Sequence, residues 1–304
     1  MTSEYSVLTF ATNKLSYVKF ALNCAQSVIL HNKNVPVYIV SNLAVTIPYQ
    51  LKNVNIIPID NELAKKGLEL KLHIDRFLQT KHTLFIDSDC LCFGSLEPLF
   101  KAFEKNDLSV IGNVVPSEEW CGTDQAKTIK RKFNLDHLIR FNAGVIYLKQ
   151  SSHNQQLYND VRKIAEKYDE LGFIRNNKWI NEEGPISIVM MLNQQKPVAD
   201  DGIYMTDLFT DFRPKKMNVL KGERRLKNPD SPSIRHRPWY PGQYSPLIIH
   251  YGGLNVNSYP YTAQKALLYF NRFGLPSGLS TLITFIFIRI PYRTAYWLIG
   301  LLRK

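Results

Sequence analysis

The chain has 304 residues, 45% of them apolar and 12% aromatic, which suits one large α/β domain with an appendage and excludes a disordered protein. A formal net charge of +12 speaks to an anionic partner (nucleic acid, a membrane surface or a phosphorylated ligand) and not to fold. Four cysteines, Cys24, Cys90, Cys92 and Cys121, show neither a disulfide framework nor paired metal-ligand spacing, so a reducing compartment is expected. The start, MTSEYSVLTFATN, lacks the basic region and apolar run of a secretory signal, and a cytoplasmic location follows as the expectation. In chain order, residues 5–11 predict a first strand. Residues 13–30 predict an amphipathic helix with Tyr17, Phe20, Ala21, Cys24 and Val28 at helical spacing. Residues 35–40 and 54–59 predict two more strands, and residues 68–78 a helix.

Residues 82–99 read HTLFIDSDCLCFGSLEPL. Thr83 to Ile86 has the length and side chains of a buried strand, and it runs into Asp87-Ser88-Asp89. Residues two apart in extended chain point to the same side, so the two carboxylates converge. At the carboxyl end of a strand in an open α/β sheet, that is where ligands sit. Two acidic oxygens with open positions suit a hard divalent cation whose other ligands are water and phosphate, and a diphosphate is the natural cargo. The competing reading is a solvated turn. A calcium loop is excluded, because its sixth and twelfth positions hold Cys92 and Pro98 in place of Gly and Glu.

Residues 108–115 predict another strand. Phe141-Asn142-Ala143-Gly144 precedes a strand over 145–148, and its small residues permit close approach of backbone or ligand. Residues 151–171 predict a long polar helix. Asn181-Glu182-Glu183-Gly184-Pro185 opens a helix over 186–192; its carboxylates either complement the helix dipole or face a reacting centre as base or stabiliser. The alternation of strand and helix implies a mainly parallel, doubly wound sheet.

Residues 200–246 lose periodicity and carry Lys215, Lys216, Lys221, Arg224, Arg225, Lys227, Arg235 and Arg237. Such a stretch is expected as a structureless lid or acceptor-binding loop, or as a solvated insertion. Residues 247–249 predict a short strand ending in His250-Tyr251-Gly252-Gly253. His250 becomes a ligand only if that strand end lies beside Asp87 and Asp89. In the tail, residues 279–290 are apolar but short of the ~20 residues needed to span a bilayer. Arg289, Arg293, Arg303 and Lys304 interleave with Tyr292, Tyr296 and Trp297, a mixture that suits a bilayer interface. The alternative is a terminal helix packed on the core.

An apolar strand into Asp-x-Asp, an Asn-Ala-Gly segment at a strand, and a late His-x-x-Gly together resemble the GT-A glycosyltransferases, and among them the family-eight, galactosyltransferase-like group. The resemblance covers residues 5–253. It implies that Asp87 and Asp89 hold a manganese ion (or magnesium) with His250 as third ligand, and that Ser88 lies with them at the donor. It further implies that Ala11, Thr12, Asn13 and Tyr17 hold the nucleotide, and that Asn142 and Lys71 lie near the donor sugar. The chain departs from the pattern where Asn181-Glu182-Glu183 replaces an Asp-Gln pair and where Leu254-Asn255-Val256-Asn257 replaces a diphosphate-binding Lys-Pro-Trp.

The expectation is therefore a GT-A domain over 1–274 with a basic acceptor or lid segment at 200–246, and a membrane-interface tail over 275–304. Its activity would be metal-dependent, retaining or, through Glu182 or Glu183, inverting. It would transfer sugar from a nucleotide-diphosphate donor, UDP-sugar favoured, to a glycan or lipid-linked acceptor at the inner face of the membrane. The alternatives are an inactive membrane scaffold of the same fold and a basic nucleic-acid-binding protein, for which no motif is present.

Overall fold

The computed structural model of the chain describes residues 3–207, 213–228 and 237–302; Arg235, Arg303 and Lys304 lie outside them. The apolar runs of the first half become β1 (Tyr5–Phe10), β2 (Val37–Ser41), β3 (Val54–Pro58) and β4 (His82–Ile86). A short β5 (Cys90–Cys92) follows, then the long β6 (Leu108–Pro116) and β7 (His137–Lys149). Between and after them lie α1 (Leu15–His31), α2 (Asn61–Ala64), α3 (Glu97–Phe103), α4 (Ser117–Cys121) and α5 (Thr123–Phe133), then α6 (Ser152–Glu166) and α7 (Glu183–Leu192).

Six strands form the central sheet in the order β3-β2-β1-β4-β7-β6. The first four pair in parallel, and β7 runs antiparallel to both β4 and β6. Successive side chains leave a strand on opposite faces. Val7, Ile39, Leu84 and Tyr147 therefore pack under α1 and α3, while Leu8, Val40, Phe85 and Ile146 pack under α6 and α7. Both faces are covered, as a parallel sheet requires.

Three expectations are corrected. The helix over 68–78 is a 3₁₀ helix, Gly67–Phe77, kinked at His73. Residues 70 to 74 are all buried, and five consecutive inward side chains cannot share one face of an α-helix. The strand expected to begin after Gly144 begins at His137, so Asn142, Ala143 and Gly144 lie inside it. The stretch 200–246 is not structureless. It holds β8 (Met205–Asp207), β9 (Arg213–Asn218), β10 (Glu223–Lys227) and β11 (Gln243–Tyr244).

Strands β9 to β11 form an antiparallel sheet. Its Met217, Leu226 and Tyr244 join Val219 and Tyr240 in a core shared with α8 (Tyr261–Arg272). Three of the basic residues expected to greet an acceptor are engaged in building this unit. Arg224 donates to the carbonyls of Phe93 and Gly222, Lys216 pairs with Glu223, and Arg237 pairs with Asp200 and Asp207. A third sheet places β12 (Ile248–His250) between β5 and β8. The chain closes with α9 (Ser277–Thr284), a π-helical turn (Phe285–Arg289) and α10 (Ile290–Leu302). Among the described residues no helix is long and apolar enough to cross a membrane.

Candidate active site

Strand β4 ends at Ile86, and Asp87 then leaves the sheet with its N–H bonded to the Gly144 carbonyl. The turn Asp87-Ser88-Asp89 leads into β5, whose Cys90 lies opposite His250 in antiparallel register. That register carries His250 across 160 residues to the carboxylates. Its Nε2 lies 3.1 Å from Asp89 Oδ1 and 3.8 Å from Asp87 Oδ2. The condition set for His250 from the sequence is met.

A bulge in the sheet supplies the next group. On β6 a single residue, Ile111, separates Val110 (opposite Ile146) from Gly112 (opposite Phe141), whereas on β7 the same interval holds Asn142 to Val145. The surplus residues leave the ladder, as a bulge does beside a functional site. Asn142 Oδ1 accepts from the Gly144 N–H at 2.9 Å and lies 2.8 Å from His250 Nδ1. An oxygen that already accepts from Gly144 can only accept again, so Nδ1 carries its hydrogen and Nε2 is the nitrogen turned to Asp87 and Asp89. Gly144 is required by closeness: a Cβ there would stand 2.8 Å from His250 Nδ1 and 2.9 Å from Asn142 Oδ1.

Lys71, on the 3₁₀ helix, is the buried cation of the cleft. Its Nζ lies 2.8 Å from Asp87 Oδ2 and 3.0 Å from Glu182 Oε1, and donates to the Ala143 carbonyl. Burial alone would lower its pKa, but Asp87 and Glu182 outweigh it and hold the ammonium charged. Burial raises the Asp87 carboxyl despite Lys71. Burial would raise Asp89 too, but the adjacent His250 keeps it below the usual carboxylate range. Burial works against the charged imidazole, yet Asp89 and then Asp87 raise His250 to about 9.

Glu182 and Glu183, one residue apart, have different environments. Glu182 is buried against Lys71. Glu183 accepts from the Ala143 N–H through Oε1 and from Asn181 Nδ2 through Oε2. Asn181, passed over in the sequence, in turn accepts from the Glu183 N–H at 3.0 Å. These groups and Leu68, Asn176, Asp87, Asn142 and His250 line one cleft of about 160 Å³.

Burial, and after it the charge of Glu182, raises the Glu183 carboxyl from 4.5 to about 7. The folded chain therefore holds this proton more firmly than the unfolded chain between those values. Stability falls as pH rises through that window and levels off above it. Glu183→Gln keeps an acceptor for Ala143 and should flatten the decline in urea midpoint between pH 4.5 and 7. An unchanged slope would show that another group sets it.

The segment expected at the nucleotide lies at the same edge of the sheet, after β1. Ala11 is fully buried, and its carbonyl accepts from Ser41 Oγ. Asn13 takes a left-handed turn, φ 68°, with its N–H on Asn42 Oδ1 and its amide on the Ala64 carbonyl. Tyr17 is 41% exposed on the first turn of α1. Ser88 is half-buried between the two carboxylates. The segment replacing Lys-Pro-Trp is a 3₁₀ turn, Gly253–Asn257, with Val256 in the core.

The residues present fit a divalent cation. Asp89 and the imidazole nitrogen of His250 meet, Asp87 stands 3.8 Å from that nitrogen with one oxygen on Lys71, and the second nitrogen of the imidazole is fixed by an amide oxygen, the arrangement that orients a metal-bound histidine. Ligand atoms of Asp89, Cys90 and His250 lie within 4.8 Å of one another. Cys90 is the weakest member of that group, because burial keeps its thiol protonated, with the sulfur against the Gly144 carbonyl.

A mainly parallel sheet with one reversed strand, covered by helices on both faces and carrying paired carboxylates at its edge, is the GT-A glycosyltransferase fold. The backbone follows that of the galactosyltransferase LgtC, solved with donor and acceptor sugar analogs, at a TM-score of 0.55 and 13% identity. That match covers 89% of this chain and 96% of that one. The glycosyltransferase GlyE of Streptococcus pneumoniae TIGR4 matches at a TM-score of 0.51 and 16% identity, covering 92% of this chain and 62% of that one. The bifunctional WbbM matches at 0.53 and 14%, covering 83% and 46%. At these identities the likeness is one of fold. No protein-family model and no curated protein matches the chain.

Proposed function

We propose that the protein is a metal-dependent glycosyltransferase that takes a sugar from a nucleotide-diphosphate donor, UDP-sugar favoured, to a glycan or lipid-linked acceptor. The observation that carries this reading is the meeting of Asp87, Asp89 and His250 at the carboxyl edge of a GT-A sheet. Those three residues would hold manganese or magnesium, which when bound supplies charge neutralisation at the leaving diphosphate. Asn142 holds His250 in the tautomer that presents Nε2. Lys71 stays charged beside Asp87 and lends positive potential to a polyanionic donor. Thr12 and the open ring of Tyr17, on the same edge, receive the nucleotide; Ala11 and Asn13 shape that turn through backbone and amide bonds.

In the transfer the C1–O bond to the diphosphate breaks and a C1–O bond to an acceptor hydroxyl forms. In the retaining course the hydroxyl proton passes to the departing diphosphate. An inverting course would send it to Glu183, whose carboxyl near 7 suits a base at neutral pH; Glu182, held by Lys71, serves as counter-ion in either case. NMR of the first-formed product decides: an anomeric configuration matching the donor's removes Glu183 as base. The test of the activity itself is manganese-dependent release of nucleotide from a panel of nucleotide sugars.

The tail supports a peripheral membrane location for a domain spanning 1–274. Helix α9 turns its polar side inward. Ser280 and Thr284 are buried, Thr281 Oγ1 accepts from Asn218 Nδ2, and the Arg289 guanidinium donates to the Met217 carbonyl. Leu279, Leu282, Phe285, Ile286 and Ile290 face outward, with Phe287 72% exposed. A helix with its apolar side to solvent suits the bilayer interface, and each nearby cation such as Arg293 adds roughly 1 kcal/mol at an anionic surface. The full chain should sediment with phosphatidylglycerol vesicles, less so in high salt, and a chain ending at Gly278 should stay folded and remain in the supernatant. Unfolding of the shortened chain would assign the segment to the core.

A further inference from the structure

Beyond the residues that line the cleft, and joined to them through Asn142 and His250, lies a group of side chains that the metal site does not use. Arg140 lies two residues before Asn142 on β7, and both are half-buried between buried neighbours. The Arg140 guanidinium lies 5.1 Å from the centre of the Trp239 ring and pairs with Glu119 at 2.8 Å. Trp239 is fixed at its polar edge: Nε1–H donates to the Asp200 carbonyl at 2.7 Å, and Asn113 brackets that peptide through its amide.

A second path reaches the same residue from the metal side. Asp207 lies beside His250 in the parallel register of β8 and β12. Arg237 joins Asp207 to Asp200, 3.0 Å to each, and Trp239 follows two residues later. Asn142 and His250 touch each other, so the two paths close a ring around one side of the cleft. Trp239 is anchored by Asp200 and Arg140 yet 42% exposed, so ring surface remains for a ligand.

We propose that Trp239, backed by Arg140, is the acceptor platform of the cleft and binds a pyranose ring. The apolar C–H face of the sugar lies on the indole, and its hydroxyls meet Arg140 and Glu119. Arg140 stands two residues before Asn142 on β7, so the platform adjoins the residue that touches His250.

This inference rests on the glycosyl-transfer reading, and its test separates the two. Saturation-transfer NMR of the full chain with glucose, galactose, N-acetylglucosamine and lactose reads sugar contact without any donor. Donor hydrolysis and transfer to the same sugars are measured in parallel. Trp239→Ala should abolish the saturation transfer and raise the acceptor KM at least tenfold, with donor KM moved less than twofold; Trp239→Phe should restore most of both. Sugar contact at Trp239 in a chain that hydrolyses no nucleotide sugar would overturn the activity and leave the platform standing. Hydrolysis of donor together with sugar binding or acceptor KM unaltered by Trp239→Ala would overturn the platform.

Discussion

Replacing Asp89 by alanine should lower manganese-supported hydrolysis of the donor by about three orders of magnitude or more. A cation at the leaving group is worth several kcal/mol, and each 1.36 kcal/mol is tenfold in rate. His250→Ala should follow it closely, because both changes remove a group from the same convergence point. Asp89→Ala should not unfold the chain, since Asp89 is half-buried in a turn and lies outside the hydrophobic clusters, whereas His250 is buried and faces both carboxylates, so His250→Ala should also lower the melting temperature. Circular dichroism and the melting temperature check both conditions. A variant that stays folded and retains a tenth or more of the wild type's manganese-supported rate would remove Asp89 and His250 from the site.

The second large effect is on stability. Lys71 neutralises two buried carboxylates, Asp87 and Glu182, and no other ammonium or guanidinium group lines the cleft among the described residues. Removing one partner of a buried ionic group costs about 3–5 kcal/mol because the others remain uncompensated. Lys71→Met fills the space left by the side-chain stem but not the charge, so a loss of that size, on the order of 10 °C in Tm, is expected. Manganese should restore part of it, since a divalent ion held by Asp87, Asp89 and His250 would compensate one of the two carboxylates, Asp87. The ion should therefore raise the Tm of the variant more than that of the wild type. Equal shifts in the two proteins would mean that the ion binds away from Asp87. The same geometry makes Asp87→Asn a better probe than Asp87→Ala, because the sequence presents Asp87 as a free loop carboxylate and the structure makes it the counter-ion of Lys71.

What the sequence revealed and what it concealed divide along physical lines. The strand before Asp87 is legible because a short apolar run ending in two carboxylates has few other uses. The covered sheet is legible because strands buried on both faces lose their alternation. Residues 213–227 were obscured because exposed Lys216 and Arg225 hide the alternation of β9 and β10, in which Met217 and Leu226 are the buried apolar residues. The 3₁₀ helix was obscured because five buried residues in succession obey neither helical nor strand periodicity. Within the site, residue types were visible and pairings were not. Lys71 meets Asp87 across 16 residues and Glu182 across 111, and nothing local in either segment encodes the contact. Asn181 carries no sequence signal beyond its place ahead of two glutamates, yet it holds one of them at the helix start. The bulge at Asn142 was half visible: the small residues announced a close approach, and His250 comes close to Gly144.

The central claim is that Asp87, Asp89 and His250 hold a cation that serves nucleotide-sugar chemistry. It is tested most directly by incubating the full chain with UDP-glucose, UDP-galactose and their N-acetylated counterparts, with manganese or with chelator, and measuring released UDP. The account predicts hydrolysis of at least one donor in manganese, loss of that rate in chelator, its return when manganese is added back, and no such rate from Asp89→Ala. Release of UDP at the same rate in chelator, or no release from any donor by a folded chain loaded with manganese, would contradict it.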